Sequence, residues 1–183
     1  MGTQPSNPAR GERASGPRRV AALPDALRAP ATMARTLLAE VFEHARECYP
    51  EECCGLLTGP AGGAPCQVAR CTNMQSLRYA KGESGLDAAH GFWIDPVEIQ
   101  RALEHAEARG EVLRTIYHSH IDTEAYLSQT DVEAALGPDG CPVWAGVDQL
   151  VVAVKDGSVQ GGALFRWDSD AAAFVGRRLR EAS

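Results

Sequence analysis

From Ala34 onward, apolar residues recur at three- and four-residue spacing, and Leu37, Leu38, Val41, Phe42 and Ala45 fall on one face of a helix. Pro50 predicts its end, because the residue before a proline is pushed out of helical geometry. Residues 54–58 then read as a buried strand, 60–65 as a Pro/Gly turn and 67–71 as the returning strand of a hairpin. Asp95 caps a second helix that opens on Pro96, with Glu98 placed to close a capping box. Ile99, Leu103 and Ala106 form its buried face, and Gly110 ends it. The run Val112-Leu113-Arg114-Thr115-Ile116-Tyr117 is β-branched and aromatic, a strand leading into two histidines. A helix over 128–136 follows, then a turn at 137–140. Strands over 149–154 and 163–167 are joined through Asp156-Gly157, and 174–179 reads as a last strand rather than a helix. The order is mixed α/β, a central sheet flanked by helices.

Two stretches lack this periodicity. Residues 1–32, rich in Pro, Gly, Ala, Ser and Arg, read as a disordered tail before a domain over 33–183. Met33 opens the ordered pattern and could itself be a start, and only a short helix over 22–28 is conceivable within the tail. Residues 72–91 read as a long loop, a candidate wall for a substrate groove.

At 183 residues the chain suits one domain with a single core. A net charge of −6 argues against general binding to nucleic acid or anionic membrane. No apolar run approaches the ~18 residues needed to span a bilayer. The six cysteines show no Cys-x-x-Cys pairing, which fits buried small hydrophobes in a reducing cytoplasm. Cys53 and Cys54 should point to opposite faces of a strand.

The chemistry concentrates in residues 118–131. If the strand runs through them, His118 and His120 share a face and Ser119 points the other way. Two such imidazoles can grip a metal, and a catalytic zinc site needs a third protein ligand plus an open position. Asp131 can supply it, and so by spacing can Asp122. Ser128 and Asp131 also suit a helix N-terminus, the first as N-cap and the second favoured by the helix dipole. His44, His90 and His105 read as non-ligands.

His-Ser-His, seven residues, then Ser-x-x-Asp resembles the signature of the JAMM (MPN+) metallopeptidases. The family's early Glu-x-x-Gly-Leu segment is matched by Glu52-Cys53-Cys54-Gly55-Leu56, so the matching glutamate is Glu52. One departure is Ile121, where many members carry proline. The resemblance implies the MPN/JAB, cytidine-deaminase-like fold, a mixed curved β-sheet flanked by helices. It implies one Zn2+ per chain on His118, His120 and Asp131, with Glu52 as catalytic base and Ser128 as oxyanion donor. Small members of this kind cleave a peptide or isopeptide bond at the C-terminal tail of a ubiquitin-like, sulfur-carrier type protein. Alternatives are an isopeptidase removing such a modifier from lysines, a non-catalytic MPN scaffold, and an iron(II) oxygenase using the same ligand set. The oligomeric state is left open.

Overall fold

A computed structural model describes residues 21–181. Its elements are β1 (Ala31–Met33), α1 (Arg35–Cys48), β2 (Cys54–Pro60), β3 (Gln67–Cys71), α2 (Gln75–Ala80), α3 (Pro96–Glu107), β4 (Glu111–Ile121), α4 (Gln129–Ala135), β5 (Asp148–Lys155), β6 (Ser158–Asp168) and β7 (Ala173–Glu181). Among the described residues the strands form one sheet in the order β1-β7-β6-β5-β4-β2-β3. The β4–β5 and β1–β7 pairs are parallel and the others antiparallel. Irregularities at Leu57/Thr58 and Ala153/Val154 bend the sheet. The β5–β6 turn places both Asp156 and Gly157 at positive φ, as a two-residue hairpin turn requires.

Alternation along the central strands sorts the core into layers. Tyr117, Leu150, Val152 and Val154 face α1, packing with Leu38, Val41 and Ala45. The opposite face carries two clusters: Cys54 and Leu56 pack with residues of α3, and Val151 and Phe165 pack with Val132 of α4. Cys53 belongs to the first layer and Cys54 to the second, so the adjacent cysteines do diverge. All six cysteines are free. Gly55 lies where an added Cβ would strike the Ala69 carbonyl and the Tyr117 ring. The glycine of the Glu-x-x-Gly segment is therefore a packing requirement.

Three expectations are corrected. The described part of the expected 1–32 tail is not free: Ala22 exchanges backbone hydrogen bonds with Leu127, Asp25 N–H donates to Gly176, and Ala31 and Thr32 belong to β1, which extends the sheet beside β7. That part forms a turn and a strand, with no helix over 22–28; residues 1–20 lie outside the described residues. The loop over 72–91 contains α2. Asp95 caps α3 as expected, accepting from Val97 N–H, but Glu98 accepts instead from the backbone and hydroxyl of Thr72. No helix among the described residues is long and apolar enough to cross a membrane.

Candidate metal centre

β4 carries its strand geometry through both histidines, so His118 and His120 emerge on the face shared by α3 and α4, at the seam between the two clusters. Ser119 turns to the α1 face, where its Oγ accepts from Cys53 N–H (2.8 Å) and its own N–H donates to Cys53 O (3.0 Å). These bonds tie the start of β2 to the end of β4. The same register pairs Cys54 with His118, two residues beyond Glu52.

The third group arrives from α4. Ser128 and Asp131 form a reciprocal capping box: Asp131 N–H donates to Ser128 Oγ (3.1 Å) and Ser128 N–H to Asp131 Oδ2 (2.8 Å). The cap aims Oδ2 at the histidines, so capping and convergence are one arrangement. The two Nε2 atoms are 3.2 Å apart, and Asp131 Oδ2 lies 3.3 Å from that of His120 and 3.4 Å from that of His118. A cation ~2.0–2.2 Å from three tetrahedral donors would set them roughly 3.3–3.6 Å apart. The triangle fits a small divalent metal. Both Nδ1 atoms are buried without a protein partner among the described residues. The nitrogen and oxygen donor set suits zinc.

Electrostatics agree. Burial, against the opposing pull of Asp131, lowers the His118 pKa and favours the neutral, ligating imidazole. Burial alone would raise Asp131, but the His118 charge and hydrogen bonds from His118, His120 and Ser128 hold it far below the ordinary carboxylate range. Phe92 stacks on the His118 ring (4.5 Å between centroids), and Tyr126 meets His120 edge-on (4.8 Å). The motif spacing marked neither aromatic residue.

Asp122 is not part of this group. β4 ends at Ile121, and Asp122 takes a positive φ that turns it toward the β5–β6 hairpin, where it accepts from Asp156 N–H (3.1 Å) and Tyr49 OH. Ile121 continues the strand opposite Val154 and packs against the α1 layer. His44 bonds Tyr117 OH (2.9 Å), and His90 lies 2.7 Å from Asp87. Of the described histidines, only His118 and His120 join a metal-capable cluster.

Glu52 is 5% exposed, and its Oε2 has no protein partner among the described residues. Burial first, then the Asp131 and Asp87 carboxylates, push its pKa up to about 9. Its backbone is clamped on both sides: N–H donates to Ala88 O (2.7 Å) and C=O accepts from Asn73 Nδ2 (2.9 Å). Asn73 also binds Gly91 O and Trp93 N–H, so it joins the Glu52 segment to the loop carrying Phe92. No spacing rule singles out Asn73.

A family model described as prokaryotic homologs of the JAB domain matches residues 34–165. The chain belongs to this family. It is 38% identical over 105 residues to a protein named CysO-cysteine peptidase from Mycobacterium tuberculosis (strain ATCC 25618 / H37Rv), a stretch covering 56% of this chain and 64% of that relative. This prokaryotic JAB chain also resembles solution structures of proteins from Desulfitobacterium hafniense (TM-score 0.59, 21% identity, 83% of this chain and 92% of that one) and Salinibacter ruber (TM-score 0.56, 25% identity, 83% and 91%). The family match agrees with the MPN/JAB fold that the motifs implied.

Beside the His118, His120 and Asp131 triangle runs a groove of about 430 Å3. Asp131 and Thr130 border it, Leu56, Ile94 and Ile99 form an apolar floor, and the 72–91 segment supplies a wall through Gln75 and Leu86. A second cleft, of about 390 Å3, lies on the α1 face and is lined by none of the five candidate residues.

Proposed function

We propose that this protein is a zinc peptidase, with one Zn2+ on His118, His120 and Asp131, that hydrolyses a peptide bond at the C-terminal tail of a ubiquitin-like, sulfur-carrier type protein. The observation that carries this reading is the triangle of two Nε2 atoms and a carboxylate oxygen beside a buried, unpartnered Glu52 carboxylate. The substrate class draws support from the name of the M. tuberculosis relative. When bound, zinc supplies Lewis acidity toward a carbonyl oxygen and the water that attacks it. Glu52 would take a proton from the attacking water as its oxygen adds to the carbonyl carbon, and would return it to the nitrogen as the C–N bond breaks. With its charge offset by a cation, Asp131 no longer raises Glu52, which then ionises more readily.

Ser128 has a place in the same step. Its Oγ accepts from Asp131 N–H, which leaves the hydroxyl proton free to donate to a developing oxyanion. Losing one such donor typically costs ~2.7–4 kcal/mol of barrier, roughly 10²–10³ in rate. Ser128→Ala is expected to retain metal and fold and to lose turnover by that factor. Near-normal turnover in the variant would remove the oxyanion role.

The reading is tested by metal analysis of purified protein, then by weighing the products formed from tail-extended and from lysine-conjugated carrier protein. One zinc per chain with release of the tail extension supports the peptidase. Cleavage of the lysine conjugate alone would make it an isopeptidase, and iron with oxygen uptake would overturn the hydrolase.

A further inference from the structure

Three charged or titratable side chains border the groove: Asp131, His90 and Arg78. Asp131 belongs to the triad, and His90 is engaged by Asp87 at 2.7 Å. Arg78 differs from both. Its guanidinium carbon lies over the Trp93 ring, 4.1 Å from the centroid, and among the described residues its one carboxylate contact is Glu83, 3.8 Å from Nε and itself exposed. Its terminal nitrogens make no side-chain hydrogen bond among the described residues, and Trp93 supplies a cation–π contact.

Resting on the peptidase reading above, we propose that the groove receives a single residue bearing a free C-terminal carboxylate, and that Arg78 binds this carboxylate. A planar guanidinium matches a carboxylate with two parallel hydrogen bonds, and the apolar floor strengthens them by excluding water. The bond broken then joins the carrier's last carbonyl to the amine of that residue. Water supplies OH to the carbonyl carbon and a proton to the nitrogen, releasing a carrier carboxylate and a free amino acid. A lysine side chain as leaving group would bring only its alkyl chain to the groove, leaving Arg78 with the exposed Glu83 alone. Arg78 is thus a specificity residue, and it favours removal of a terminal amino acid over isopeptide cleavage.

The test uses the zinc-loaded full chain and a carrier protein extended by one residue, prepared as the free acid and as the C-terminal amide. The acid is expected to be cleaved with a roughly ten- to hundredfold higher kcat/KM, as for hydrogen bonds between charged groups. Arg78→Gln should bring the acid-to-amide ratio near one, chiefly through KM for the acid, and Arg78→Lys should restore part of it. Glu83→Gln, which removes the competing carboxylate, should lower KM for the acid. Melting temperatures establish that each variant is folded. Equal cleavage of acid and amide by the unmodified protein, or a preference that survives Arg78→Gln, overturns the role of Arg78 and leaves the peptidase standing. Cleavage of neither substrate overturns the peptidase, and this inference with it.

Discussion

Glu52→Gln is expected to lower turnover by roughly 10²–10⁴ and yet to stabilise the metal-free protein above neutral pH. The first effect follows from removing the group that moves the proton. The second follows from linkage. In the fold the Glu52 pKa is raised to about 9 from a reference of 4.5, so the fold favours the neutral carboxyl. That contribution is complete below pH ~4.5 and is lost progressively as pH rises toward ~9. Glutamine imitates the neutral form at every pH. Metal-stripped wild type and variant should therefore melt alike at pH 5 and diverge by on the order of a few kcal/mol at pH 8, the variant being more stable. Urea denaturation at the two pH values measures the gap. A gap that stays constant with pH would mean that Glu52 is not held neutral by its surroundings, and a fully active variant would deny it the role of base.

Asp131→Asn is expected to lower zinc affinity by more than the roughly 10–100-fold that follows loss of a residue bonded to a ligand. Asparagine keeps an oxygen for Ser128 N–H, so α4 should stay capped, and the change falls on the anionic donor. The control is Asp122→Asn, which alters the β4 exit near Asp156 and should leave zinc stoichiometry unchanged. Competition with a chromogenic chelator reads both affinities. Normal zinc binding by Asp131→Asn together with loss in Asp122→Asn would reverse the assignment of the third ligand.

Some of the site was legible along the chain because it obeys local rules. Strand alternation alone puts His118 and His120 on one face, and the Ser128/Asp131 spacing alone predicts a capped helix start. The β2–β3 and β5–β6 hairpins announce themselves through their Gly, Pro and Asp turns. Other features had no local signal. β1 has three residues, and it forms because the edge of β7 accepts a parallel partner. Asn73 matters through bonds to residues at 52, 91 and 93, and Arg78 through the ring of Trp93. In the sequence each was an ordinary residue in an aperiodic stretch.

Taken by itself, the order of residues determined which donors exist, which of them share a face and where α1, α3, α4 and the two hairpins begin. Only the tertiary structure decided that Asp131 rather than Asp122 turns toward the imidazoles, that Glu52 is buried under the influence of the Asp131 charge, and that Arg78 borders the groove. The physical reason is range. Periodicity and capping act over a few residues, whereas the start of β2 and the end of β4 are joined by a strand register linking segments more than sixty positions apart, set by the mutual bonds of Cys53 and Ser119.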